Sequence, residues 1–396
     1  MTARKRTGVL LAAAASCALA AGAAGAADFT MTIHGQLDAT ASTRGKALEF
    51  NLFNAGASMF DAYRLRLFFE GAATPNIQVY TQLVLDEVNT HNVYGAYLMY
   101  TPWKDRDLHV IAGKIPWVIG TYGPRTYSDK KPLMGTPLIY QYHTTLRSDV
   151  LVPNVDALLA VAGRGESGFS YTPTQSRFRG MPVVYDFCWD AGVAVNGSAA
   201  PLEYAVAVTA GTPSMMEPSQ DNNEGKSVMG RLGLQPFPAL RIGASGSYGP
   251  YLASALDPQL PAGKTANDYM QKLAMADFDL EAGHLSVISE GYLNQWMTPT
   301  VGNLGVAGYY GEARIGIANS GAWLAGRWES MRFSNVTSST GVVQPWNYDV
   351  DRLETGLGYR VARGAILKAV YQANYQHDDG SISRYDLYAG QMSVTF

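Results

Sequence analysis

Residues 62–71, "AYRLRLFFEG", alternate apolar and polar side chains over the length of one β-strand. One face would be apolar, with Tyr63, Leu65, Leu67 and Phe69. The opposite face would carry Arg64, Arg66, Phe68 and Glu70. Successive side chains of a strand point to opposite faces, so this pattern predicts a strand with one apolar face and one charged face.

The same period of two recurs along the chain, whereas helical periodicity is almost absent. It predicts sixteen strands, at about 29–42, 58–71, 75–86, 93–102, 107–114, 183–197, 201–211, 226–235, 239–248, 269–282, 285–296, 305–317, 320–334, 350–361, 365–377 and 386–396. In residues 183–197 the apolar face would include Tyr185, Phe187 and Trp189. In residues 365–377 it would include Tyr371 and Tyr375. The chain is therefore expected to be all-β.

The predicted connections alternate in length. Those expected to be long are 43–57, 87–92, 115–182, 212–225, 249–268, 297–304, 335–349 and 378–385, and tight turns such as "NGSA" and "VARG" separate them. Short turns at one end and long loops at the other are typical of an antiparallel transmembrane β-barrel of the outer-membrane type. We expect sixteen strands, with eighteen as the alternative count.

A soluble sandwich or propeller would also alternate. A sandwich of this length should show a domain boundary and a propeller should show a blade repeat, but the sequence shows neither. Barrel closure also leaves no unpaired strand edge in lipid. The terminal "MSVTF", which ends at Phe396, resembles the assembly signal of Gram-negative outer-membrane proteins.

The first residues, 1–26, predict a secretory signal peptide, with three cations, an Ala/Leu-rich segment and the small residues Ala24-Gly25-Ala26. Residues 27–396 would then form the barrel. A lipoprotein anchored through Cys17 is a weaker alternative. Without the leader, Cys188 is the only cysteine, so an internal disulfide is excluded.

Composition limits the function. Without the three leader cations the net charge changes from −3 to −6, which argues against nucleic-acid binding. Hydrophobic residues make up 47% of the chain and charged residues only 16%. After the leader, no run of apolar residues is long enough for a transmembrane helix. This composition favours a protein with an apolar outer surface in the bacterial outer membrane.

One stretch breaks the alternation. Residues 112–135, "AGKIPWVIGTYGPRTYSDKKPLMG", contain three prolines, four glycines and four cations. They open the connection 115–182, and a loop of this length is usually functional. Its apolar segments need a wall to pack against, so we expect the loop to fold into the lumen and narrow it.

Between residues 114 and 147 the local charge is about +4 in a chain that is otherwise acidic. Cations at a constriction favour the passage of anions. The candidate constriction residues are Lys114, Arg125, Lys130, Lys131 and Arg147, with Tyr122 and Tyr127 beside them. The alternative is that these cations lie outside the pore and only solvate the loop.

Further cations occur on the polar faces of the strands. The candidate lumen-wall residues are Arg64, Arg66, Arg231, Arg241, Arg314, Arg327, Arg360 and Lys368. The acids expected to face them are Asp277, Asp279, Glu290 and Glu312. Asp277, Asp279 and Glu281 could bind Ca²⁺, although a water-facing acidic wall is the simpler interpretation.

Motifs of enzymes and cofactor sites are missing from the sequence. "PAGKT" at 261–265 lacks the first glycine of a phosphate-binding loop, because Pro258 stands there. The six histidines show no metal-ligand spacing. We therefore predict no cofactor, no metal and no enzymatic activity.

Several segments resemble the phosphate-selective porin O and P family. These are "LHVIAGKIPWVIG", the paired strands in "WDAGVAVNGSAAPLEYAVAVTAG", and the closing hairpin "DRLETGLGYRVARGAILKAVYQ" with the terminal "MSVTF". The resemblance implies a trimeric sixteen-strand diffusion porin. It does not carry over the family's phosphate-binding arginines, since these have no residue-by-residue match here.

Two functional hypotheses follow. The first is a passive diffusion channel for small polar or anionic solutes, with membrane lipid and further copies of the chain as its partners. The second is a barrel that serves as a sleeve for a partner, such as an electron-transfer protein threaded through the lumen.

Overall fold

The computed structural model describes residues 30–43, 45–46, 50, 62–86, 92–215, 221–318, 320–378 and 380–396. The predicted signal peptide, residues 1–26, lies outside the described residues.

Sixteen antiparallel strands form one closed barrel. The first eight are β1 Thr30–Ser42, β2 Ala62–Thr74, β3 Ile77–Asp86, β4 Asn92–Tyr100, β5 Leu108–Pro116, β6 Trp189–Ala199, β7 Leu202–Thr209 and β8 Ser227–Phe237. The next five are β9 Leu240–Pro250, β10 Met270–Ala282, β11 Leu285–Thr298, β12 Gly302–Gly316 and β13 Ala322–Phe333. The last three are β16 Asp349–Ala362, β17 Ala365–Asp378 and β18 Ser381–Thr395. The predicted fold class and strand count are confirmed.

The remaining secondary structure is short. Strands β14 Asn335–Thr337 and β15 Val343–Pro345 form a separate hairpin between β13 and β16. Helices α1 Leu138–Gln141 and α2 Val155–Leu159 lie in the connection between β5 and β6. No helix in the described part of the chain is long and apolar enough to cross a membrane.

Closure occurs between the first and last strands. Gly35 N donates to Phe396 O over 2.7 Å, and Phe396 N donates to Gly35 O over 3.0 Å. A Cβ atom on Gly35 would lie only 2.5 Å from the Phe396 ring. The glycine therefore leaves the space in which the terminal ring packs.

The two faces of the barrel differ as the alternation predicts. On β10 the inward Leu273, Met275 and Asp277 are buried, whereas the outward Ala274 and Phe278 are exposed. Exposed outward residues on other strands include Ile33, Leu98, Val206, Leu232, Leu293, Leu324 and Leu357. An apolar outer face around a polar inner face is the pattern of a barrel surrounded by lipid.

Connection lengths at the two ends differ from the prediction in two places. The strands are joined at one end by long connections, 43–61, 117–188, 210–226, 251–269 and 334–348, and at the other end by tight turns such as 200–201, 283–284 and 363–364. However, the connections expected at 297–304 and 378–385 are tight turns, at 299–301 and 379–380. The strands continue pairing up to Thr298↔Gly302 and Asp378↔Ser381. The paired strands continue with polar residues beyond the point where apolar alternation stops. The sequence prediction therefore ended these strands too early.

A second correction concerns the start of β6. The sequence predicted a strand from residue 183, but the strand begins at Trp189. Tyr185 packs against the interior cluster, Phe187 lies 4.4 Å from Tyr94 between ring centroids, and Trp189 is buried. These three side chains are therefore not on the lipid face. The preceding Cys188 has φ 55°, so the backbone turns sharply as it enters the strand.

The arrangement of the connections predicts the orientation in the membrane. Cysteine placed at Gln259, in a long loop, should react with an impermeant thiol reagent on intact cells, whereas cysteine at Arg363, in a tight turn, should not. The native Cys188 is buried, so the parent protein supplies the background. Labelling of the 363 variant without labelling of the 259 variant would reverse the orientation.

Candidate functional site: the loop inside the barrel

The connection between β5 and β6 enters the barrel and contacts its inner wall on several sides. Thr121 N donates to Glu290 Oε1 over 2.5 Å, and the Tyr140 hydroxyl donates to Glu290 Oε2 over 2.7 Å. Across the lumen, Gln36 Nε2 donates to Asp129 Oδ1 over 2.9 Å. Because Glu290 is on β11 and Gln36 on β1, the loop spans the interior.

A buried arginine is the centre of the strongest attachment. Arg327 on β13 lies 2.9 Å from Glu312, 2.7 Å from Glu329 and 2.6 Å from Glu354. It also donates to Gly135 O over 2.9 Å. All four side chains are almost fully buried. The arginine thus joins three barrel strands to the loop backbone.

The glutamates of this network also bind the loop. Glu354 accepts from Gly135 N over 2.8 Å, and Glu329 accepts from Leu138 N over 2.5 Å. A Cβ on Gly135 would lie 2.3 Å from Glu354 Oε2. Only glycine allows the backbone to approach these carboxylates so closely.

A second arginine extends the network. Arg352 on β16 lies 2.5 Å from Glu329 Oε1 and donates to Thr136 O and to Phe50 O. It therefore ties the same glutamate to the loop and to a residue of the first long connection. We call Arg327, Arg352, Glu312, Glu329 and Glu354 the anchoring network.

The opposite edge of the loop has its own contacts. Ser128 Oγ donates to Asp38 Oδ2 over 2.6 Å, and Lys368 Nζ donates to Ser128 O. Arg66 donates to Gln36 over 2.9 Å and lies 3.3 Å from Asp38. Buried charges of β1, β2 and β17 thus hold the loop where residue 128 reaches the wall.

Between these contacts, the interior is apolar toward the long-loop end. Every residue from 133 to 147 is buried. Trp346 packs edge-on against Trp296 and Phe333, with ring centroids 6.1 and 5.0 Å apart. This half of the barrel holds a packed core rather than open solvent.

Within the segment 117–147 of the loop, the solvent-accessible part is residues 123–132, which we call the tip. Within residues 117–147 only Pro124 and Lys130 are exposed, and the tip residues beside them are mostly half-buried. The tip contains Arg125, Lys130 and Lys131, against the single acid Asp129. The surface that faces the free lumen is therefore cationic.

The candidate constriction cations differ in their surroundings. Lys130 Nζ lies 3.1 Å from Asp129 Oδ2, and its side chain is 62% exposed. Lys131 is half-buried and has no ion pair among the described residues. Burial, together with Lys368 and Arg66, lowers the pKa of Lys131 to about 7. Its charge is therefore incomplete near neutral pH.

The side chains of Arg125 and Lys114 form hydrogen bonds with neighbouring residues. Arg125 Nε donates to Thr121 O over 3.1 Å, and its guanidinium also reaches the Tyr310 hydroxyl. Lys114 Nζ donates to Val93 O over 2.7 Å. Tyr127 of the tip donates to Gln82 over 2.9 Å and lies under the Arg66 guanidinium.

Two of the predicted constriction residues lie elsewhere. Arg147 is 3% exposed and lies 2.7 Å from Asp149, with the Phe178 ring beside it. Tyr122 is buried and stacks on Tyr140 with ring centroids 4.5 Å apart. Both side chains therefore stabilise contacts within the loop, because the loop folds back on itself.

The predicted wall cations all lie on strand faces that point into the lumen, but their burial and their ion pairs differ. Arg66, Arg327 and Lys368 are buried and hold the loop. Arg231 is paired with Asp277 at 2.6 Å, and Arg241 lies 3.6 Å from Glu203. Arg314 and Arg360 are exposed and have no ion pair among the described residues. Arg64 is half-buried two positions from Arg66.

Below the loop, the short-turn end of the barrel is open. A cavity of about 940 Å³ lies against the inner wall of β5–β9. It is lined by polar side chains that include His109, Asn196, Glu203, Arg231 and Arg241. The inner wall of β5–β9 near the short turns is therefore polar and borders a cavity.

The acidic and histidine side chains that could form a metal or acid–base site make other contacts. No cluster of three or more His, Cys, Asp or Glu side chains that could hold a metal occurs in the described ranges. Asp277 is bound to Arg231 rather than arranged with Asp279 as an ion site. His143 Nδ1 donates to Gly180 O over 2.6 Å, and burial lowers the pKa of His143 to about 4. His91 lies outside the described residues.

Solved structures resemble this chain in fold at low sequence identity. The trimer form of OmpT, an outer membrane protein of Vibrio cholerae, matches with a TM-score of 0.53 and 10% identity over 93% of this chain and 99% of that chain. OmpF of Salmonella typhi in complex with daunomycin matches with a TM-score of 0.54 and 9% identity over 92% and 97%. The anion-selective porin of Comamonas acidovorans matches with a TM-score of 0.54 and 8% identity over 93% and 100%.

The chain has the fold of an outer-membrane porin. This fold and the apolar outer face together give the bacterial outer-membrane location that the sequence predicts. No protein-family model and no curated protein matches the chain. The narrower resemblance to the phosphate-selective porin O and P family therefore stays a prediction.

Sequence reasoning missed several residues of the anchoring network. Glu329, Glu354 and Arg352 were not singled out, although each lies on a polar strand face. The alternation of "GRWES" and "DRLETG" places them inward, and that signal was available. Which inward charge meets the loop depends on contacts between residues roughly 200 positions apart, such as Arg327 and Gly135.

The anchoring network predicts a large effect of Arg327→Met. The substitution would leave three buried glutamates without their shared cation, at a cost of about 3–5 kcal/mol in the free energy of unfolding. The loop should also detach, so trypsin should cut faster after Lys130 in the folded barrel. Arg314→Met, which removes an exposed wall arginine, is the matched control. Equal denaturant midpoints for the two variants would show that the network does not hold the loop.

Proposed function

We propose that the protein is a diffusion channel of the outer membrane, in which the loop tip, residues 123–132, forms the narrowest part of the path for small polar or anionic solutes. The observation that carries the proposal is the position of this tip. Residues 123–132 include the exposed Pro124 and Lys130, whereas the flanking segments 117–122 and 133–147 of the loop are buried or half-buried inside the barrel.

The charge of the path supports a preference for anions. The glutamates of the anchoring network form ion pairs with Arg327 and Arg352, so most of their negative charge is cancelled. Lys130 at the tip, and Arg314 and Arg360 below it, remain exposed. Cations along a water path with low-dielectric walls raise the local concentration of anions.

The proposed solutes are small anions and polar molecules in general, and no specificity for phosphate is proposed. Arg66 and Arg327, which could otherwise bind phosphate, are buried and occupied by carboxylates. The expected homotrimer is likewise a proposal, supported by the trimer form of the similar OmpT of Vibrio cholerae. The sleeve hypothesis gains no support, since the protein's own loop already occupies the interior that a threaded partner would need.

Planar-bilayer recordings of the purified protein test the channel and its selectivity. Lys130→Gln combined with Lys131→Gln should lower the anion-over-cation preference at about 0.1 M salt, where the screening length is about 10 Å. The effect should nearly vanish at about 1 M, where the screening length is about 3 Å. Lys264→Gln, in a long loop and already paired with Asp268 at 2.8 Å, is the control. Absence of conductance in the parent protein would refute the channel, and unchanged selectivity in the double variant would move the constriction elsewhere.

The lowered pKa of Lys131 predicts a pH dependence. As the pH rises from 6 to 8, Lys131 should lose most of its positive charge, because its pKa is about 7. The anion preference should therefore fall over this interval. Lys131→Gln should abolish the pH dependence, while Lys130→Gln should lower the preference at both pH values and keep the slope. A parent channel whose reversal potential is flat from pH 6 to 8 would contradict the role of Lys131.

A further inference from the structure

A shallow groove runs along the outer face of β9–β13 near the long-loop end, with a volume of about 630 Å³. Its floor is made of small outward residues, Ala274, Gly305 and Ala307. Leu293, which is 66% exposed, lies between Ala274 and Ala307 in the strand register. The small residues on β10 and β12 leave depressions on either side of the exposed Leu293 in an otherwise full apolar surface.

A lysine stands at the rim of this groove. Lys272 points outward beside Tyr248, and its Nζ lies 5.9 Å from the centroid of that ring. Gln295 is its neighbour in the register on β11. Lys272 is exposed, and the described residues contain no carboxylate within ion-pair distance of it.

Two other outward cations of the barrel, unlike Lys272, form ion pairs with carboxylates. Arg332, on the far side of the groove, lies 2.8 Å from Asp351, and Arg384 on β18 lies 2.8 Å from Asp386. A cation on the lipid face is costly near the bilayer centre and tolerated near the interface. An unpaired lysine at the interface therefore needs a counter-ion that the protein does not supply.

We propose that this groove binds a phosphate-bearing membrane lipid of the leaflet at the long-loop end, with its phosphate at Lys272 and an acyl chain over Ala274 and Ala307. The Gln295 amide can donate a second hydrogen bond to the phosphate. Charge complementarity selects this occupant, since lipid phosphates lie at the depth of the interface where Lys272 ends. A second apolar protein surface would instead bury the ammonium group without a partner.

Native mass spectrometry of the barrel in phosphatidylcholine nanodiscs that contain a minor fraction of bis-phosphorylated lipid A tests the proposal. Lys272→Gln should lower the bound lipid A about fivefold, in line with the attraction of one cation near a charged membrane surface. Lys272→Arg should restore binding. Ala307→Leu, which fills the floor and keeps the charge, should also lower binding.

The control is Ala313→Leu, an outward alanine on the same strand nearer the short turns. It should bind lipid A like the parent protein, and heat-modifiable migration on gels should show that each variant is folded. Lipid A without phosphates should bind less than the bis-phosphorylated form. Equal binding of the two lipids, or parent-like binding by Lys272→Gln or Ala307→Leu, would overturn the proposal.

Discussion

The arrangement of the interior depends on the ion pairs between Arg327 and the carboxylates of Glu312, Glu329 and Glu354. Charges buried in a protein are costly unless each is paired and hydrogen-bonded. Here the remaining hydrogen-bonding capacity of the glutamates is taken by backbone N–H groups of residues 134–138. The network is therefore complete only when the loop is in place, so the wall and the loop fix each other.

This mutual dependence divides the lumen into two parts. Toward the long-loop end, the apolar residues of segment 138–146 pack with Trp296 and Trp346 into an apolar core. Toward the short turns, the inner wall is polar and a cavity remains. The cationic tip lies between the packed half and the open half, where a narrow water path would be most sensitive to its charge.

Porin-like barrels at about one-tenth sequence identity share this fold. Alternation with a period of two, tight turns at one end and closure of the last strand on the first require only classes of residue, so many sequences satisfy them. In the proposed channel, selectivity would depend on single side chains such as Lys130 and Lys131, and the shared fold carries no information about those side chains.

The sequence by itself determined the barrel. Alternation in segments such as 62–71 defined all sixteen strands and, except at the start of β6, their inner and outer faces, because each strand obeys a local rule. It failed at residues 183–188, where apolar residues pack in the interior on the return of the loop rather than in a strand.

Only the tertiary structure decided what each inward charge does. Arg314 and Arg327 are alike in sequence pattern, yet one is exposed and the other is fully buried against three glutamates. Lys131 and Arg147 both belong to the cationic loop, yet one faces the lumen beside Lys368 and the other is paired with Asp149 inside the loop. The physical reason is that burial and pairing arise from contacts between distant parts of the chain, which a period of two does not encode.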